Sequence, residues 1–258
     1  MGRIELLRLD YLFSVLAPCL LAIYVNNLNI VNYLGIISGW CFLGVTGNLL
    51  NDAIDKDRGL DYTTKELATL ALISFLLGIA LMVETFIYYP ITIAFALSSI
   101  FLVIGYCVKF KQYAIINKFV LVFSHIVFPY LTIISSPQVN PNLLSWGEIW
   151  IMATFFAFSF SGQVIHEAID KEASDAFSLR KIQIIVQISS ILTIIFGVYA
   201  IFVLPQPNSL YFIPFIAIPV GPMYIYRKPR TPRPELKDVG IILGNLMMVY
   251  LLVLILMG

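Results

Sequence analysis

The chain has 258 residues, of which 60% are hydrophobic and 12% charged, with a formal net charge of +1. A soluble domain of that composition would lack the polar surface to cover itself, so the sequence reads as a polytopic membrane protein. The near-neutral charge, with no basic run interleaved with aromatic residues, excludes a nucleic-acid-binding surface.

A bilayer core about 30 Å thick takes about 20 apolar residues per helix. That window predicts about nine spans, at 11–27, 31–50, 67–86, 91–108, 119–135, 149–165, 182–204, 210–226 and 239–257. The first run follows Arg3 and Arg8 as a signal peptide would, but Glu5 and Asp10 interrupt the basic segment and further spans follow, so it reads as a retained helix. Pro214, Pro219 and Pro222 should kink or break the eighth span. Cys19, Cys41 and Cys107 stand singly in apolar runs and read as small buried hydrophobes. The expected fold is an all-α polytopic membrane bundle forming a single domain, 1–258.

With nine spans, all sixteen lysines and arginines fall in loops on one side of the membrane. The positive-inside rule then predicts a cytoplasmic amino terminus and a carboxyl terminus on the opposite side. The basic loop Arg227, Lys228, Arg230 and Arg233, stiffened by prolines, reads as an orientation anchor beside anionic headgroups.

Two acidic stretches break this charge-poor pattern, both at the cytoplasmic ends of spans. Asn51, Asp52, Asp55, Asp57 and Asp61 follow the second; His166, Glu167, Asp170, Glu172 and Asp175 follow the sixth. Helical spacing sets Asn48, Asn51, Asp52 and Asp55 on one stripe, and Glu167 with Asp170 on another, Ser174 next along it. Clustered carboxylates repel one another and cost free energy to desolvate, so a cation between them is expected. Hard oxygen ligands of this kind suit Mg2+, which commonly bridges carboxylates to substrate phosphates. The plainer reading is a pair of solvated loops that happen to be acidic. Two such clusters on one face of a charge-poor membrane protein count against it.

Asn51-Asp52-x-x-Asp55 at the end of the second helix, the acidic segment ending the sixth, and nine spans with both motifs on one side resemble the UbiA superfamily of intramembrane prenyltransferases. The resemblance covers nearly the whole chain. Arg8 leading into the first helix, Tyr106 with Lys109 and Lys111 after the fourth, and Asn117 with Lys118 opening the fifth are similar to that family as well. It implies a helical bundle around a central cavity, Mg2+ as cofactor, an isoprenyl diphosphate donor, a lipophilic and usually aromatic acceptor, and a surrounding of membrane lipid. The metal ligands it implies are Asn51, Asp52, Asp55, Asp170, Glu172 and Asp175. Cations for the diphosphate are Lys109, Lys111, Arg180, Arg58 and Arg8, each equally readable as a positive-inside anchor. Tyr106 is expected to orient the acceptor or shield a carbocation, and His166, four residues before Asp170, to share its face as hydrogen-bond partner or base. Gly59 and Ser174 stand where the family pattern has its outer acids, with Asp57, Asp61 and Asp175 as substitutes.

The expected reaction is therefore prenyl transfer. A terpene cyclase of the same fold, in which the substrate's own double bond captures the cation, is the alternative. An ion-coupled transporter ranks lower, because it would need ionisable residues near the bilayer midplane rather than crowded at one interface.

Overall fold

The structure is a computed structural model describing residues 7–55, 62–135, 145–204 and 213–257, and every regular element among them is helical. The elements are α1 (Phe13–Val25), α2 (Leu34–Asp55), α3 (Thr64–Tyr88), α4 (Ile91–Val108), α5 (Ile116–Val122), α6 (Phe128–Ile134), α7 (Trp146–Asp170), α8 (Leu179–Val203), α9 (Ile213–Ala217), α10 (Val220–Ile225) and α11 (Glu235–Met257). A π-helical segment, Phe123–Val127, joins α5 to α6. Seven helical stretches among the described residues are long and apolar enough to cross a membrane, and Leu9–Val25 is a shorter apolar one. The eighth predicted span is broken in its described part into α9 and α10, with Pro219 at the N-cap of α10. Proline lacks the N–H that would continue the ladder and clashes with the preceding turn. The chain is a multi-pass membrane protein, and large apolar side chains such as Phe101, Phe202 and Leu256 stand exposed on its helices.

The chain divides into two compact units. Unit 1 comprises Met1–Lys111, Phe123–Pro141 and Ile241–Gly258; unit 2 comprises Gln112–Val122 and Asn142–Gly240.

In unit 1, α2 and α3 cross where both are glycine. A Cβ on Gly39 would lie 3.0 Å from the Gly78 carbonyl oxygen, and one on Gly78 would lie 3.0 Å from that of Gly39. Small residues at such a crossing let two membrane helices approach closely enough for dispersion to hold them. Ser74 Oγ donates to the Phe42 carbonyl at 2.8 Å across the same interface. Around α2, Leu12, Val45, Leu49, Ala53, Leu67 and Ala71 form a buried cluster that fixes its last two turns. Pro129, in the first turn of α6, cannot donate to the carbonyl one turn back, and the π-helical turn sits at that position. Ser99 Oγ bonds the Ser124 carbonyl within it at 2.9 Å.

In unit 2, α7 packs on α8. Thr154 and Ile216 approach Gly197 so closely that its Cβ would lie 3.1 Å from Ile216 Cγ1. Gln187 Nε2 donates to the Met223 carbonyl at 2.6 Å, tying α8 to α10. Val164, Ile165, Ile182, Val186 and Tyr226 are buried together around the last turns of α7. A capping box at Ser145 and Glu148 begins that helix.

Both acid-bearing helices run further than the apolar windows predict, because neither sequence contains a breaker before its acids. α2 continues through Asp55, and α7 through Asp170, where Lys171 adopts a left-handed φ of 56° and stops it.

Candidate functional site

The end of α2 gathers the unit 1 candidates. Arg8 occupies a left-handed conformation, φ 46°, just before a short 3-10 turn, Leu9–Tyr11. From there its Nη2 donates to Asp52 Oδ1 at 2.8 Å. Asp52 is only 5% exposed, which makes this guanidinium its necessary counter-charge. One turn on, Lys111 Nζ meets Asp55 Oδ2 at 2.5 Å, and Asn51 Nδ2 donates to the same oxygen at 3.0 Å. Asn51 Oδ1 is buried with no hydrogen-bond partner. A buried amide oxygen left unsatisfied costs about 1–3 kcal/mol, and here it belongs to an amide bonded to the Asp55 carboxylate, so amide and acid offer oxygen donors to a hard cation.

Lys109 and Lys111, equal candidates in the sequence, are separated by the structure. Lys109 is exposed as the cap of α4, whereas Lys111 turns to Asp55. Gly105 makes that turn possible: the Phe110 ring lies where its Cβ would be, at 2.7 Å. Tyr106 is half-buried in the last turn of α4. Arg58, Asp57, Gly59 and Asp61 lie outside the described residues.

A cavity of about 320 Å³ runs along α2 below this cluster, with almost entirely apolar walls. Trp40, Gly44 and Gly47 line it, and Asn51 and Asp55 continue the same stripe of the helix at three- and four-residue spacing. Phe75, Ser99 and His125 close other sides. A Cβ on Gly44 would lie 3.2 Å from Leu12 Cδ2 and one on Gly47 3.3 Å from Val103 Cγ1, so close neighbours hold both positions small.

In unit 2, Asp170 is gripped by Lys237 Nζ at 2.9 and 2.7 Å, and His166 Nε2 approaches it at 3.2 Å. Lys237, read from sequence as one of the one-sided basic residues, was not among the candidates; only folding brings α11 to the end of α7. Because α7 ends at Asp170, Glu172 and Asp175 lie beyond it: Glu172, half-buried, is the N-cap of a 3-10 turn, Ala173–Ala176, in which Asp175 is exposed. Arg180 is exposed in the first turn of α8.

Glu167, one turn before Asp170, is 3% exposed and pairs with Lys118, which is fully buried. Asn117 Nδ2 donates to Glu167 Oε1 at 2.6 Å, and Ser174 Oγ donates to Oε2 at 2.9 Å. No role had been assigned to this pair. Its sequence signal is a lysine directly against the apolar run that follows it, where a charge is costly unless paired. Among the described residues no three His, Cys, Asp or Glu side chains converge as a metal site built from them alone would require.

Solved structures of a UbiA homolog from Archaeoglobus fulgidus align along nearly all of this chain. The form bound to Cd2+ matches with a TM-score of 0.73 at 14% identity, covering 98% of each chain. The chain has the UbiA fold. The same homolog bound to GPP and Mg2+ matches with a TM-score of 0.71, again at 14% identity and 98% of each chain. A digeranylgeranylglyceryl phosphate synthase shares the UbiA fold with this chain at a TM-score of 0.58 and 16% identity, over 99% of this chain and 96% of that one. No protein-family model matches the sequence, and no curated protein matches it.

Proposed function

We propose that this chain is a membrane prenyltransferase of the UbiA superfamily, transferring an isoprenyl group from an isoprenyl diphosphate to a lipophilic, aromatic acceptor. The observation that carries this reading is the junction on α2 of a charged cluster with an apolar cavity: Asn51, Asp52 and Asp55, flanked by Arg8 and Lys111, stand directly above the walls of Gly47, Gly44 and Trp40. A diphosphate joined to a hydrocarbon tail is the ligand class that needs both at once. The Archaeoglobus fulgidus homolog has been captured with GPP and Mg2+ and with DMAPP and Mg2+, which supports the same donor class here.

The donor set of the first cluster suits Mg2+, since Asn51 Oδ1 is buried without a partner on an amide that bonds the Asp55 carboxylate. Asn51, Asp52 and Asp55 would hold the ion, which supplies charge neutralisation for a departing diphosphate. Arg8 and Lys111 would exchange part of their contact with Asp52 and Asp55 for the diphosphate oxygens; at 16% and 23% side-chain exposure both retain access to such a ligand. Charge-assisted hydrogen bonds from these cations strengthen as negative charge collects on the leaving group. The apolar walls would seat the tail and exclude water from the allylic centre. Tyr106 faces the acceptor in this scheme, and the amino terminus with both acidic helix ends lies on the cytoplasmic side.

The test is conversion of radiolabelled GPP, in membranes containing the chain, to a prenylated aromatic acceptor. An acceptor-independent hydrocarbon product would instead select the cyclase reading.

A further inference from the structure

The buried cluster of unit 2 is built like a cation site, and a side chain of this protein occupies it. Lys118 Nζ donates to Asn117 Oδ1 at 3.0 Å, to Ser174 Oγ at 2.9 Å and to Glu167 Oε2. Three oxygens from three parts of unit 2 thus converge on one ammonium, and Lys118 and Ser174 are both completely sealed from solvent.

The other acid–base contacts of the candidate residues differ in kind. Arg8, Lys111 and Lys237 retain 16%, 23% and 25% side-chain exposure against their aspartates. Each can swing onto an incoming anion, leaving its carboxylate to another cation. Lys118 has 0% exposure and no such freedom. Withdrawing it would strand Glu167, a charge whose uncompensated burial is among the costliest defects a folded chain can carry.

Ser174 makes the balance close. It stands four residues after Asp170, where the sequence resemblance calls for an acid. With serine there, one ammonium and one carboxylate cancel, and the hydroxyl serves both, accepting from Lys118 and donating to Glu167. An aspartate would leave a net negative charge in a dry site and require a divalent ion or a proton. Nor would a divalent ion fit beside the ammonium already held there.

We propose that Lys118 is a permanent internal cation standing where a metal would otherwise bind, so that Glu167 and Ser174 ligate no divalent ion. Asp170 is thereby oriented by a metal-independent scaffold, and metal binding is confined to the remaining acids. This rests on the prenyltransferase reading for its significance, but the cluster's chemistry is testable without turnover.

The experiment counts Mn2+ bound to the full chain in lipid nanodiscs by electron paramagnetic resonance, alongside thermal unfolding with and without Mn2+. The double variant Lys118→Met/Glu167→Gln, which removes both charges together, should bind as many Mn2+ ions as the natural chain. The single variant Lys118→Met should either bind one more, or gain a larger rise in unfolding temperature from Mn2+ than the double variant does. Loss of a Mn2+ in the double variant would overturn the proposal. So would a single variant that neither gains an ion nor gains more stability from Mn2+ than the double variant does. Failure of the prenyl-transfer reading would appear separately, as absence of product from GPP with the Mn2+ counts as expected.

Discussion

Lys111 Nζ lies 2.5 Å from Asp55 Oδ2, while Lys109, two residues earlier, stands exposed at the end of α4. Two lysines that sequence cannot tell apart are thus unequal in the fold. Lys111→Ala should raise KM for GPP about tenfold to a hundredfold, the cost of one charge-assisted hydrogen bond of about 1.5–3 kcal/mol. Lys109→Ala should change it less than threefold. Initial rates against GPP concentration for both variants decide this, and equal effects would remove Lys111 from the diphosphate site.

The position of Lys111 depends on Gly105, because the Phe110 ring fills the space of its missing side chain. Gly105→Ala should push Phe110 away and shift the segment that carries Lys111, an overpacking strain of about 1–3 kcal/mol. Activity should fall about tenfold although residue 105 touches no charged group of the cluster. Restoration in the double variant Gly105→Ala/Phe110→Leu, with its smaller side chain, is the accompanying check.

The helices and the two acidic ends were legible because apolar run length and a cluster of aspartates are local signals. Asp52, Asp55 and Asp170 are candidates on that ground, whereas Arg8 enters only through the family resemblance. Lys237 and Glu167 were not assigned, since their partners lie 67 and 49 residues away along the chain. Distance in sequence hides ion pairs that packing creates. The choice between Lys109 and Lys111 was hidden for another reason: it is set by the Phe110 ring resting on a glycine. The left-handed stop at Lys171 likewise decides that Ser174 and Asp175 lie beyond the helix of Asp170, and no glycine announces it.

The buried pair of unit 2 should show strong thermodynamic coupling. Lys118→Ala alone should cost about 3–5 kcal/mol by leaving Glu167 uncompensated, whereas Lys118→Met/Glu167→Gln, which removes both charges and leaves an amide oxygen for Asn117 and Ser174, should cost clearly less. Thermal unfolding of the two variants in the same detergent measures the difference. Additive losses would mean that the two side chains do not depend on each other.

The cavity along α2 should set which donors are accepted. Gly47 and Gly44 face it, and a Cβ on Gly47 would already touch Val103 at 3.3 Å. Gly44→Leu should lower kcat/KM for farnesyl diphosphate at least tenfold while affecting DMAPP less, because only the longer tail reaches that depth. Competition between the two donors in one reaction gives the ratio directly. An unchanged ratio would mean that the tail runs elsewhere.

Asp170 has two basic neighbours, Lys237 and His166. Asp170→Asn should abolish turnover while leaving the helical content unchanged, since its amide still accepts from Lys237. Circular dichroism run beside the transfer assay separates loss of chemistry from loss of fold.

In the proposed reading the acids ending α2 hold a metal-bound isoprenyl diphosphate. It is tested most directly by turnover of radiolabelled GPP in membranes carrying the natural chain or Asp52→Asn, each with Mg2+ and with EDTA. Product should form only from the natural chain with Mg2+. Undiminished product from Asp52→Asn, or from the natural chain in EDTA, would contradict it.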